Sequence, residues 1–308
     1  MTYMFEKKKF YSNGKLLITG EYLVLDGALA LALPTKFGQN LVVENGFNKE
    51  ISWKSYDADG SIWFDDVILF SDITTKKTFE NNSIKTTLIE ILYESYQLNN
   101  GFVDDSEGYI VSTNLNFPKL WGLGTSSTLI NNIAQWLNID AFVLLNKAFG
   151  GSGYDIACAQ NNSAILYQLE NEKPKVQVVN FDPIFKNNIY FVYLNQKQDS
   201  KQGIAKYRSK KLQLQDSIYI INKITNTIFS TDDYTIFTDG IEKHENELST
   251  VLETPTVKQT LFGDFAGSIK SLGAWGGDFV MVVSEKNPTD YFKKKGFNIV
   301  LRYDEIIL

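Results

Sequence analysis

The residues best suited to chemistry lie between Pro118 and Thr128, where the chain reads P-K-L-W-G-L-G-T-S-S-T. Gly122 and Gly124, one residue apart, allow backbone conformations closed to other residues. Thr125, Ser126 and Ser127 follow, and then an apolar-containing run: Leu129, Ile130, Ile133, Ala134, Trp136 and Leu137. A loop that opens directly into a helix presents free N–H groups and the positive end of the helix dipole. That is a setting for an anion, phosphate above all. The spacing is not that of a Walker A loop, whose lysine is absent, nor of a Rossmann fingerprint, whose third glycine is missing. By itself the stretch is also readable as a Gly-rich turn with a hydroxyl cap.

Four other places carry groups that phosphate chemistry can use. Lys15 starts an apolar strand after the turn Ser12-Asn13-Gly14; it is either a solvated lysine at a strand end or a cation aimed at a phosphate or a catalytic carboxylate. Asp155 lies in G-G-S-G-Y-D-I-A-C-A, where glycines again precede a helix. It either complements that helix's dipole or stands beside a transferred phosphate or its acceptor. Residues 195–211 form the most basic local segment, a solvated helix face or a clamp for an anionic substrate. Further on, Lys270, Gly273, Gly276 and Gly277 sit between a helical stretch and a strand, where glycines mark tight packing or backbone close to a ligand.

Composition narrows the chemistry further. With 36 acidic and 30 basic residues the formal charge is −6, which argues against a general nucleic-acid binder. A site for an anionic substrate must then be locally basic against the global field. No run approaches the roughly 20 apolar residues of a membrane span, and the start, M-T-Y-M-F-E-K-K-K-F, lacks a secretory signal. The expectation is a cytoplasmic enzyme with no membrane or nucleic-acid partner. One cysteine, Cys158, and one histidine, His244, exclude an intrachain disulfide, multi-cysteine metal sites and most catalytic triads. Cys158 reads as a small buried hydrophobe and His244 as structural or peripheral. Carboxylates, lysines, hydroxyls and backbone amides remain, the parts that phosphoryl transfer needs.

The elements that must position these groups follow from periodicity and turn chemistry. Lys15–Thr19 reads as a strand that continues over Tyr22–Leu25, and Ala28–Leu33 as a buried strand. Short strands are expected over Leu41–Glu44, Ile51–Ser55, Ser61–Phe64 and Asp66–Phe70, with Trp53 and Trp63 as packing residues. Residues 82–98 show a helical period, Tyr109–Asn114 is a strand leading into the glycine loop, and Ala141–Phe149 is a short helix. Two strands, Ser163–Leu169 and Val176–Phe181, precede a strongly buried one at Ile189–Leu194, and helices are expected at 212–229 and 234–252. A domain boundary is placed between residues 187 and 188.

In this order and at this spacing, three stretches resemble the GHMP small-molecule kinases, the family of galactokinase, homoserine kinase, mevalonate kinase and phosphomevalonate kinase. Gly14-Lys15 with Gly20-Glu21-Tyr22 looks like the family's first motif. Pro118, Gly122, Leu123, Gly124, Thr125 and Ser126 match its phosphate loop, with Ser127 where alanine is usual. Gly273-Ala274-Trp275-Gly276-Gly277-Asp278 approximates its C-terminal glycine motif, with Trp275 in place of a glycine. The segments G-S-G-Y-D-I-A and K-L-L-I-T-G-E-Y-L-V-L-D look most like phosphomevalonate kinases, with mevalonate kinases close behind.

The resemblance implies an α+β fold of two domains: an ATP-binding domain like the second domain of ribosomal protein S5 over 1–187, and a ferredoxin-like domain over 188–308. It implies ATP and Mg²⁺ as cofactors, a small anionic substrate, and a homodimer as a possible assembly. Lys15 and Asp155 would be catalytic. Pro118, Gly122, Leu123, Gly124, Thr125, Ser126 and Ser127 would hold ATP, with Ser126 also a ligand to Mg²⁺. Glu21, Tyr22, Ser152, Lys197, Ser200, Lys201, Gly276, Gly277 and Asp278 would meet the acceptor. Many members carry a Mg²⁺-binding glutamate after the loop helix; here Asp140 is the only carboxylate between Thr128 and Asp155. The expected activity is phosphorylation of 5-phosphomevalonate. The alternatives are the mevalonate 5-hydroxyl as acceptor, or a member that binds a metabolite without transferring phosphate.

Overall fold

A computed structural model describes residues 7–81, 83–197, 200–209, 214–273 and 275–308; the side chains of Ser200 and Lys201 lie outside the described residues. Packing divides the chain into two units. One comprises Met1–Gly14, Phe37–Lys119 and Gly124–Gln160; the other comprises Lys15–Lys36, Leu120–Leu123 and Asn161–Leu308. Within the second of these, Ala30–Ala32 pair with Ile165–Tyr167, which ties an early strand to the chain beyond residue 160.

The first half of the chain supplies β1 (Lys8–Leu17), β2 (Ala30–Asn45), β3 (Glu50–Tyr56), β4 (Ile62–Leu69), α1 (Phe70–Thr74), α2 (Ser83–Leu98), α3 (Gly101–Asp104), β5 (Gly108–Leu115), α4 (Thr125–Leu137), α5 (Ala141–Ala148) and α6 (Tyr154–Gln160). In the first unit the strands lie in the order β4-β3-β5-β2, with β1 also paired to β2. The β3–β5 pair is parallel, while β3–β4 and β2–β5 are antiparallel. Alternation along β3 turns Ile51, Trp53 and Ser55 inward. Ile51 and Trp53 join Leu88, Ile89, Ile91 and Leu92 of α2 and Ile130, Ile133, Ala134 and Leu137 of α4 in one core.

The helix after the glycine loop carries a polar seam inside that core. Asn132 accepts from Ser12 Oγ (2.8 Å) and donates to Gln39 O (2.9 Å), while Thr128 Oγ1 donates to Gln39 Oε1 (2.9 Å). Buried amides paired in this way fix one orientation of α4. The helix ends on Asn138 in the left-handed conformation (φ 51°), and Asp140 caps α5 by accepting the N–H groups of Phe142 and Val143.

The rest of the chain adds β6 (Ile165–Glu170), β7 (Lys173–Val178), β8 (Ile189–Tyr193), α7 (Ser200–Ser209), α8 (Gln215–Ser230), α9 (Tyr234–Leu252), α10 (Val257–Leu261), β9 (Ser268–Leu272), β10 (Phe279–Val283), α11 (Thr289–Lys294), β11 (Val300–Arg302) and α12 (Tyr303–Ile306). In the second unit the start of β2 pairs with β6, and β6 with β7. A separate antiparallel sheet has the order β11-β8-β10-β9. Its central strands are buried along their whole length, so β8 and β10 read as unbroken apolar runs instead of alternating ones. Among the described residues no helix is long and apolar enough to cross a membrane.

Several expected elements differ. Ser12-Asn13-Gly14 is not a turn but lies within β1, so Lys15 sits inside that strand and does not start it. Tyr22–Leu25 does not extend a strand; Leu23–Asp26 is a 3-10 turn, because Gly20 (φ 87°) and Tyr22 (φ 61°) both take left-handed backbone and end the extended run. β2 is one strand through Pro34, where two were expected, because β6 pairs before the proline and β5 after it. β4 is likewise one strand; Asp65 and Asp66 do not interrupt it, being paired with Lys54 and Lys85.

Candidate functional site

In the second unit Lys15 is fastened to the glycine loop twice. Its backbone N–H donates to Leu123 O (3.0 Å) and its Nζ to Gly122 O (3.3 Å). Gly122 takes a φ of +68°, and a Cβ there would overlap the carboxylate of Asp278. Asp278 is itself left-handed (φ 52°) and is held by main chain on both sides: its N–H donates to Gln196 O (2.7 Å) and its carbonyl accepts from Leu194 N–H (2.8 Å). A side-chain carbon on Gly273 would come within 3.9 Å of Lys15 Nζ and 4.0 Å of Asp278 Oδ2. The first, second and third motifs thus meet through Lys15, Gly122 and Asp278. Of the other motif-three residues, Gly276 is half-buried and Gly277 buried.

A second set of charges in this unit has no contact with solvent. Glu21 is buried, and its carboxylate accepts from Nζ of Lys270, a lysine with 0% exposure on β9. Lys270 also donates to Ser271 O (2.8 Å). From α9, Glu245 accepts the Ser271 N–H (3.1 Å) and hydroxyl (2.8 Å). Burial pushes the Glu245 carboxyl up to about 7, with Lys270 and the Ser271 donors pulling the other way. Glu21 is also raised by burial, against the pull of Lys270.

His244 lies in the same cluster. Its Nε2 accepts the Gly20 N–H (2.9 Å), so the ring is neutral with the proton on Nδ1. Nε2 is also 3.6 Å from Glu21 Oε2. Two acceptors facing each other are not an ion pair, and burial holds the imidazole well below its ordinary range. Lys270, His244 and Glu245 are absent from the site that the motifs outline. Their signal in the sequence is a pair of polar residues within the apolar stripe Phe237, Ile241, Leu248 of α9, and a lysine between Ile269 and Leu272 of the buried strand β9.

Tyr22 is a bulky residue at positive φ, which marks it as conformationally special. Its hydroxyl accepts the Trp275 N–H (3.2 Å), and its ring lies 5.6 Å from that of Tyr207 on α7. Trp275, the departure from the glycine motif, packs its indole against Leu23, Ile221 and Leu248 and donates Nε1–H to Pro255 O (3.1 Å). Lys197 is exposed, Ser200 and Lys201 open α7, and Lys206 and Arg208 are exposed in its last turn.

The first unit holds the other expected residues. Gly124 (φ 99°) leads into α4, whose first-turn amides have no acceptor within the helix. Ser126 is exposed and Thr125 half-buried. Ser127 is buried, and its hydroxyl donates to Gly124 O (2.9 Å), so it offers a backbone amide and no free hydroxyl. Pro118 is exposed; Asp155, in the first turn of α6, is half-buried and accepts the Ile156 N–H (3.1 Å), with buried Ser152 just before that helix. Among the described residues no group of three or more His, Cys, Asp or Glu could hold a metal ion. With Asp140 used as a cap, the donors present fit an ion carried in by phosphate oxygens, with Ser126 adding a hydroxyl.

No family model and no curated protein sequence matches the chain. Solved structures do. Phosphomevalonate kinase of Streptococcus pneumoniae, in complex with phosphomevalonate and AMPPNP, aligns at a TM-score of 0.69 and 16% identity over 96% of this chain and 99% of that one. Mevalonate kinase of Methanococcus jannaschii aligns at 0.68 and 16%, over 96% of each chain. Lactococcus lactis galactokinase, complexed with galactose, aligns at 0.66 and 12%, over 94% of this chain and 88% of that one. At such identities the likeness is one of fold: a mixed α/β chain with a large mixed sheet and a second small sheet, the fold of the GHMP kinases.

Proposed function

We propose that the chain is an ATP-dependent small-molecule kinase whose acceptor is 5-phosphomevalonate. The observation that carries this reading is the fastening of Lys15 to the glycine loop by both its N–H and its Nζ, with Asp278 fitted against Gly122. The fold shared with kinases of phosphomevalonate, mevalonate and galactose supports it.

In this reading the backbone amides of Gly122–Ser127 receive the ATP phosphates. Ser126, together with those phosphates, would hold Mg²⁺, which would supply positive charge against the transferred group. Lys15 offsets the charge that develops as the γ-phosphoryl group leaves. A phosphate acceptor has a second pKa of about 6, so its attacking oxygen is already ionised at neutral pH and needs no base. Asp155 then orients Lys15 or the acceptor. Lys197, Ser200 and Lys201 bind the acceptor's anionic end, and Ser152, Tyr22, Gly276, Gly277 and Asp278 shape its site. An ATP-binding domain over 1–187, a second domain over 188–308, a homodimeric assembly and a cytoplasmic setting belong to the same proposal.

A mevalonate hydroxyl as acceptor is the second reading, favoured by the half-buried Asp155, which would serve as general base. A coupled ADP-release assay with MgATP against mevalonate, 5-phosphomevalonate, homoserine and galactose separates the two. Turnover with 5-phosphomevalonate alone supports the proposal; turnover with mevalonate moves the acceptor and makes Asp155 the base. No turnover with any of them counts against both and favours a metabolite-binding protein.

A further inference from the structure

We propose that Trp121 and Tyr193 are positioning residues for the nucleotide, holding the stem of the glycine loop to the second sheet so that the loop amides face the phosphates. Four consecutive residues of the loop are each fastened within the second unit. The Leu120 side chain is exposed, but its carbonyl accepts from the Tyr193 hydroxyl (3.1 Å). The Trp121 ring stands edge-on to Phe279, with centroids 5.5 Å apart and planes at 82°, and lies 6.2 Å from Tyr193. Gly122 fits against Asp278 and gives its carbonyl to Lys15 Nζ, and Leu123 gives its own to the Lys15 N–H.

Strand register supplies this row of contacts. Phe279 and Tyr193 are directly paired across β10 and β8, so their buried rings project from one face, 5.4 Å apart. Just beyond them the ladder continues through the main-chain bonds of Asp278 to Gln196 and Leu194, and Asp278 carries its carboxylate against Gly122. Tyr193, Phe279 and Asp278 thus meet Leu120, Trp121 and Gly122 in turn. Aromatic contacts at these distances favour particular orientations and add to simple burial. In a trans peptide the carbonyl of one residue and the N–H of the next point to opposite sides. With the Gly122 and Leu123 carbonyls held by Lys15, the N–H groups of Leu123 and Gly124 are aimed away from it. The grip on Leu120 and Trp121 keeps the segment from rotating out of that arrangement, and a loop already set for an anion binds it at lower cost.

The nucleotide's place on the loop rests on the function proposed above, whereas the fastening of the loop does not. The test is the affinity of the whole protein for AMPPNP and for inorganic tripolyphosphate, measured by isothermal titration calorimetry with Mg²⁺ present. Tyr193→Phe, which removes one oxygen, weakens both ligands about fivefold, as the loss of one hydrogen bond would. Trp121→Ala weakens both about tenfold, and Trp121→Phe, which keeps a ring against Phe279, brings them back to within about twofold of wild type. Tyr291→Phe removes a comparable hydroxyl bond, to Asp264 (2.7 Å) from α11, and changes neither affinity. In the coupled assay Tyr193→Phe and Trp121→Ala raise the KM for ATP more than they lower kcat. A loss confined to AMPPNP, with tripolyphosphate unmoved, makes Trp121 a base-stacking residue and overturns the proposal. Unchanged affinities in folded Tyr193→Phe and Trp121→Ala overturn it as well. If Trp121→Ala does not fold, Tyr193→Phe decides alone. Wild-type protein that binds AMPPNP but phosphorylates no acceptor sinks the kinase function and leaves the affinities to decide this proposal; wild-type protein that binds neither ligand overturns both.

Discussion

The carboxylate of Asp278 fills the space that a side chain on Gly122 would need. The two residues are far apart in sequence, yet the position of Asp278 leaves room only for glycine at 122. Gly122→Ala therefore meets a left-handed φ and a carboxylate at once. We expect a loss of about 1–3 kcal/mol in a denaturant titration, and ADP release slowed by about 100-fold or more at saturating substrate. Adding Asp278→Ala relieves the overlap but not the left-handed φ, so the double variant recovers part of the stability without recovering activity.

Trp275 replaces a motif glycine, but its indole is bonded to Pro255 O and packed on Leu23, Ile221 and Leu248. Restoring the family pattern with Trp275→Gly removes an anchor instead of opening a crowded loop. Thermal unfolding should show a cost of about 2–4 kcal/mol, near the lower end for a buried tryptophan because the ring is only partly covered. The acceptor KM should rise rather than fall.

Glu245 carries a pH signature. Its carboxyl moves from an ordinary 4.5 to about 7 in the folded chain, so between these values the native state holds a proton that the unfolded state has lost. Stability falls as pH rises through this window, by about 3 kcal/mol in all at about 1.4 kcal/mol per unit. Glu245→Gln mimics the protonated form. Melting curves of variant and parent should coincide near pH 4.5 and separate toward pH 7, with the variant the more stable.

If 5-phosphomevalonate is the acceptor, Lys15→Met should slow turnover by about 1,000-fold or more and Asp155→Asn by about tenfold at most, since no proton has to be removed. Equal large losses in steady-state assays would point to a hydroxyl acceptor.

The glycine loop and its helix were legible in the sequence because few backbones place two glycines and three hydroxyls before an apolar helical run. Lys15, Asp155 and Asp278 could be picked out with it. The meeting of Lys15 and Asp278 at Gly122 could not, because steric fit leaves no periodicity. The Glu21–Lys270–Glu245 cluster is hidden for another reason: Glu21 is separated from the other two by more than 200 residues, and the three share no motif. Only the polar interruption of the apolar stripe on α9 betrays it. Along Tyr22–Leu25 the side chains favour a strand, but the left-handed backbone of Gly20 and Tyr22 overrides that preference.

The chain has one histidine, and it is buried, neutral and hydrogen-bonded to Gly20. That makes His244 a built-in spectroscopic reporter. In a proton NMR spectrum the protein has a single pair of imidazole C–H signals, and in the folded state they should hold their neutral positions through the range where free histidine titrates. A neutral-pH transition in stability is then not the titration of an imidazole. Movement of those two signals would announce that the buried cluster itself has come apart.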